Sequence, residues 1–174
     1  MITDTKAILC HTPLRSFSLG TWLNAGIRLM TGSKFDHAGI LVKNQDGKVR
    51  YEFVDAIGKG IFTRALLVYV EWSTRKHRQH YWVKNLTFDK FNADIFYKYI
   101  GREYEFNIYW RMLCFCLSRR AFGKRSKVTK LFSQEMSDFK SFCFEFVGDC
   151  FGIKNSHLLT GRDFEDRYTI CLLY

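Results

Sequence analysis

A thiol, an imidazole and a carboxylate in this 174-residue chain are the residue types that acyl transfer requires: Cys143, His37 and Asp55. The thiolate is the nucleophilic form of cysteine, and the unpaired N–H groups at a helix start favour an anion. Ser141 is the candidate N-cap of the helix that carries Cys143, which places the sulfur in the first turn. His37, in Phe35-Asp36-His37-Ala38-Gly39-Ile40, is the candidate general base, since imidazole titrates near neutrality. Taken singly, Cys143 reads as a buried thiol on an apolar helix face and His37 as an ordinary strand-end histidine. Taken together they form a nucleophile and base that need a third group to orient the ring.

That third group follows from hairpin arithmetic. Strands over His37 to Val42 and Val49 to Ala56 flank Asn44-Gln45-Asp46-Gly47, whose Asp-Gly pair signals a tight turn. A loop of two to four residues sets His37 against position 54, 55 or 56, and the three-residue form places Asp55 directly opposite on the same sheet face. Glu52 is the second choice, roughly 10 Å further along the strand. Either acid could instead be a solvated strand residue.

Other combinations are weaker. His77-x-x-His80 and Cys114-x-Cys116 have half-site spacing for a metal but no partner pair, so no metal is expected. Cys10-His11 and His157 read as structural or exposed. Phosphate-loop and dinucleotide glycine motifs are absent, and no cofactor is expected.

The elements that must hold these residues read as an α+β chain. Ala7 to Cys10 is a short strand ended by His11-Thr12-Pro13. Leu19, Trp22, Leu23, Gly26, Ile27 and Met30 recur at helical spacing, with Gly32 as terminator. After the hairpin, Leu66 to Val70 and Tyr81 to Val83 read as strands on either side of the polar run Thr74 to His80. Phe88, Phe91, Ile95 and Tyr99 mark a helix that Gly101 stops. Cys143, Phe146, Val147, Cys150 and Phe151 mark the last helix, with Gly152 after it.

Composition bounds the rest. Hydrophobic residues make up 47% and Pro occurs once, which excludes a disordered or Pro-rich linker protein and fits one domain over 1-174. No apolar stretch is long enough to span a bilayer, and Met1-Ile2-Thr3-Asp4 opens no secretory signal, so the expected location is cytoplasmic or peripheral to a membrane, with the six cysteines as thiols. The net charge is +10, and between Glu105 and Glu135 there is no acid against seven cations: Arg111, Arg119, Arg120, Lys124, Arg125, Lys127 and Lys130. Such a segment suits an anionic membrane, a nucleic acid or an acidic partner.

The order of the motifs resembles a known family. The run Gly32-Ser33-Lys34-Phe35-Asp36-His37-Ala38-Gly39-Ile40, then Phe53-Val54-Asp55-Ala56 with Gly58 and Gly60, then Gly101-Arg102-Glu103-Tyr104-Glu105-Phe106, then Phe142-Cys143-Phe144-Glu145-Phe146-Val147 is similar to the circularly permuted papain-like hydrolases. These form the YiiX-like branch of the NlpC-type superfamily. The resemblance runs from about Ala7 to Phe164. Asp36 stands where the family often has Ser, Phe144 replaces the Ser after Cys, and Asp55 is shorter than the usual Glu, which leaves a water-bridged contact with His37 open.

The resemblance implies a central antiparallel sheet packed against an N-terminal helix and a C-terminal Cys-bearing helix. It makes Cys143 the nucleophile, His37 the base and Asp55 the orienting residue of a catalytic triad. The implied activity is that of a cysteine amidase or peptidase working through a thioacyl-enzyme on a peptide, peptidoglycan-like or lipid substrate. Lipid ester hydrolysis or acyl transfer of the lecithin–retinol acyltransferase type is the alternative, and a non-catalytic binding protein on this scaffold is another. Compared with the family, about 107-140 is an enlarged basic insertion, and its mixture of apolar and cationic side chains over 107-130 suits peripheral contact with an anionic membrane. Against that stands a helix packed on the core with a solvated basic turn. Nucleic acid is the competing partner class, disfavoured because the cations sit in one segment without a binding motif.

Overall fold

The structure is a computed structural model. It describes residues 1–13, 19–57, 60–101, 108–123, 126–131, 143–156 and 159–173. A six-stranded antiparallel sheet in the order β4-β3-β2-β1-β5-β6 carries the architecture, with helices on both sides, an α+β arrangement. The strands are β1 (Ile2–His11), β2 (His37–Asp46), β3 (Lys48–Ile57), β4 (Gly60–Ala65), β5 (Gln79–Val83) and β6 (Ile170–Leu172). The helices are α1 (Leu19–Thr31), α2 (Leu66–Arg75), α3 (Ala93–Tyr99), α4 (Ile108–Phe122), α5 (Cys143–Cys150) and α6 (Gly161–Arg167).

Alternation along the central strands sorts side chains into two cores. Ala7, Leu9, Ala38, Ile40, Val42, Val54 and Ala56 face Phe144, Phe146, Val147 and Cys150 of α5, together with Phe96 and Phe164. Their neighbours Ile8, Cys10 and Phe53 point the other way, against Tyr69 and Trp72 of α2. His37 opens β2 on this second face, at the end of the sheet, where α5 can reach it from the first.

The hairpin is tighter than the sequence suggests. Asp46 pairs with Lys48 around Gly47, whose φ of 78° is open to glycine, so both strands run longer and the register shifts. Gly39, not His37, lies opposite Asp55. A Cβ on Gly39 would fall 2.5 Å from the Phe53 ring and 2.8 Å from the Val54 carbonyl oxygen, which is why β2 and β3 approach so closely beside the site.

Two further expectations are corrected. Leu66 to Val70 is the start of a helix, and the strand before it is Gly60–Ala65. Strand propensity is worth at most about 1 kcal/mol across its whole scale. Burying Tyr69 returns about 2–3 kcal/mol. The helical turn also buries Ser73 four residues on, while Leu67 and Val68 are left exposed. The helix expected from Phe88 is split into a 3-10 turn over Phe88–Lys90 and α3, because Asn92 caps α3 by accepting from the Ile95 N–H at 3.0 Å. Gly32, Gly101 and Gly152 have positive φ at helix ends, as their spacing suggests.

The N-terminal helix packs mainly on α4 and α6, so only part of the expected sheet-and-two-helix sandwich is present. Ser141 lies outside the described residues, as do 102–107 and 132–142, and therefore much of the basic insertion. Within it, α4 buries Phe115 and Ser118.

Candidate active site

His37 is fixed from the chain just before it. The buried Asp36 carboxylate accepts from the Thr12 N–H (2.8 Å), the Thr12 hydroxyl (3.1 Å) and Arg28 of α1 (2.5 Å). The Asp36 N–H donates to the Cys10 carbonyl at 3.0 Å. Asp36 thus ties the start of β2 to the end of β1 and to α1. A serine at this position would have no charge with which to hold Arg28.

Across the hairpin, Asp55 Oδ2 lies 3.0 Å from His37 Nε2. The contact is diagonal: Asp55 faces Gly39, two positions along from His37 and on the same pleat face. Contact is direct, so the shorter side chain needs no bridging water. Glu52 faces the other way and accepts from Asn44 at 2.8 Å, away from the imidazole. His37 Nε2 faces the carboxylate, and Cys143, the first residue of α5, lies close enough to the imidazole for its charge to raise it. The structure therefore brings Cys143, His37 and Asp55 together.

Burial acts against a charged imidazole. The charge of Cys143 and the hydrogen bond that Asp55 accepts outweigh it, with Arg78 opposing, and His37 is pushed up to about 9. Burial likewise opposes the Asp55 charge, but His37 and then Arg64 hold this carboxyl below its usual range. Asp55 is fully buried, whereas the His37 side chain is 12% exposed and Cys143 is partly buried.

The sequence reading missed the residues behind this trio. Arg64 of β4 places Nη2 at 2.5 Å from both Asp55 oxygens. Its guanidinium stacks 4.9 Å from both the Tyr69 and the Trp72 ring centroids. His37, Cys10 and His80 lie side by side on β2, β1 and β5, and the Tyr69 hydroxyl contacts His80 Nε2 at 2.8 Å and Cys10 Sγ at 3.6 Å. Burial pushes the Cys10 thiol up to about 12 and His80 down to about 4, so both remain neutral and neither competes with the trio. An alternating strand face with one cysteine and two histidines was the available signal, but it becomes visible only once β1 is known to lie between β2 and β5.

His77 is exposed at a left-handed turn while His80 is buried. Among the described residues no group of three or more His, Cys, Asp or Glu side chains is placed to hold a metal. In comparison with known proteins, the chain matches no family model, no curated protein and no solved structure.

Proposed function

We propose that this chain is a cysteine-dependent amidase or peptidase with a permuted papain-like organisation. The observation that carries the reading is a single imidazole bonded to a buried carboxylate at 3.0 Å with a partly buried thiol near enough to act on its charge. In the proposed reaction His37 holds the proton of Cys143 and the thiolate attacks the carbonyl carbon, forming a C–S bond. Backbone N–H groups at the start of α5 face the developing oxyanion. The imidazolium then protonates the departing amine as the C–N bond breaks, leaving a thioester. Water attacks next, His37 takes its proton, and the C–S bond breaks to release the acid and return the proton to the dyad. Asp55 keeps the ring oriented throughout.

The second part of the proposal concerns where the enzyme works. Away from the sheet, α4 and the short helical stretch after it expose Leu117, Phe122, Val128 and Leu131 together with Arg120 and Lys127. Arg120 reaches the carbonyl of exposed Leu29 on α1 at 3.2 Å, joining two helices whose own sequences carry no acid. This combination fits the headgroup region of an anionic bilayer, and an acyl-bearing substrate at that surface. No helix of the described residues is long and apolar enough to cross a membrane.

The test is intact-mass measurement after exposure to a panel of thiol-directed acylating probes. Labelling confined to Cys143, absent in Cys143→Ala and strongly slowed in His37→Ala, is expected. Labelling that persists in Cys143→Ala, or is equally fast without His37, defeats the reading.

A further inference from the structure

We infer that Arg64 is a positioning residue for the imidazole: it clamps both oxygens of Asp55 and cancels their charge, so that His37 meets an acceptor fixed in direction and nearly neutral overall. The inference deepens the proposed reaction and rests on it for its kinetic arm only.

The geometry is a chain of same-face diagonals across three strands. Asp55 stands diagonal to His37 over the β2–β3 ladder, and Arg64, which pairs with Phe53, stands diagonal to Asp55 over the β3–β4 ladder. One Arg64 nitrogen bonds both carboxylate oxygens at 2.5 Å, which leaves the carboxylate little freedom to rotate away from Nε2. The guanidinium is itself held, stacked on Tyr69 and Trp72, and Tyr69 stacks in turn on Phe53 with centroids 3.9 Å apart. A planar, delocalised cation is required for such stacking, which an ammonium cannot reproduce.

Charge makes the second half of the argument. A buried carboxylate facing an imidazole without compensation would hold the proton on the ring and hinder its transfer to a leaving group. Arg64 reduces that pull while keeping the hydrogen bond. The other titratable groups around His37 are Cys143 from α5, Cys10 from β1, His80 from β5, Arg78 just before β5, and Tyr69 of α2 through its contacts with Cys10 and His80. Of these only Arg78 is a second fixed cation, and it stacks on Trp72 at 4.8 Å with Nε on the Thr12 hydroxyl.

The experiment is an NMR titration of the His37 ring nitrogens, assigned with His37→Gln, in the wild type, Arg64→Met and Arg64→Lys, alongside probe-labelling rates. In Arg64→Met the carboxylate loses its cation, and His37 titrates higher by about half a unit or more. Labelling slows about tenfold or more as the ring loses its fixed acceptor. In Arg64→Lys the titration returns to within about 0.3 units of wild type, while labelling stays slow because the stack is gone. An unchanged or lower His37 titration in Arg64→Met overturns the inference. If that variant does not fold, wild-type labelling in Arg64→Lys overturns it, and slow labelling with an unshifted titration supports it. A wild-type chain that no probe labels would sink the hydrolase reading, yet a shifted titration in Arg64→Met would still assign Arg64 its role.

Discussion

At the scale of the residue, the imidazole is the group whose surroundings decide most. His37 is raised from 6.5 to about 9, so the protonated ring is favoured by the fold. That stabilisation is complete below pH 6.5 and is lost as pH rises through about 9. Asp55 has the opposite sign: its contribution is present above the ordinary carboxylate range and disappears as pH falls through its depressed value. Urea midpoints at pH 6 and pH 9.5 should therefore differ more in the wild type than in His37→Gln; equal differences would mean that the imidazole contributes no such linkage. Asp55→Asn removes the negative acceptor, and the basic limb of the pH–rate profile should move down from about 9. Its kcat/KM should fall about 100-fold. Types and order pointed to Cys143, His37 and Asp55 in the sequence because each carries chemistry that a neutral side chain cannot. Arg64 did not stand out, and Cys10 and His80 were read only as a structural thiol and half of a metal pair, because such residues acquire their role only from the strand beside them.

At the scale of the element, the site depends on how closely β2 and β3 approach and on where α5 sits. The Asp-Gly turn was legible, but its length was not: pairing of Asp46 with Lys48 around one glycine adds strand residues that a longer loop would have spent on the turn. The outcome at Asp55 survived because a shift of two positions keeps a side chain on the same face, whereas a shift of one would have moved it to the other. Gly39→Ala drives a methyl into the Phe53 ring and the Val54 carbonyl oxygen. It should cost about 1–3 kcal/mol by denaturant melt. It should also slow Cys143 labelling, since relief requires β2 to move off β3 between His37 and its acid. Gly148→Ala is the matching change in α5, where the new Cβ would lie 2.5 Å from a Leu159 methyl and 3.0 Å from the Ser156 Cβ. Both neighbours are side-chain atoms that can yield, so its stability loss should be the smaller of the two. The reverse order in paired melts would show that the hairpin is softer than its contacts imply. Leu66 to Val70 shows the limit of local reading, since its composition favours a strand and only the burial of Tyr69 against Phe53 turns it into helix.

At the scale of the whole molecule, α4 and the segment after it carry both cations and exposed apolar side chains. Part of the basic segment is structural: Arg119 bonds Asp163 at 2.9 and 3.1 Å, joining α4 to the buried cap of α6. That bond fits the expectation of a helix packed on the core, and charge counting could not have sorted Arg119 from the exposed cations. Arg120 and Lys127 are exposed among Leu117, Phe122, Val128 and Leu131, and Phe122 is 63% exposed. Each cation near an anionic leaflet gains about 1 kcal/mol, a gain confined to a Debye length and so weakened by salt. Inserted apolar side chains add a salt-independent part. The chain should sediment with phosphatidylserine-containing vesicles, release at high salt, and bind neutral phosphatidylcholine vesicles weakly. Lys127→Glu with Lys130→Glu should reduce binding about tenfold or more, and Phe122→Ser should reduce the binding that persists in salt. Equal binding to neutral and anionic vesicles would remove the electrostatic attraction from this account, and no binding to either would remove the membrane from it while leaving the thiol chemistry to be judged by Cys143 alone.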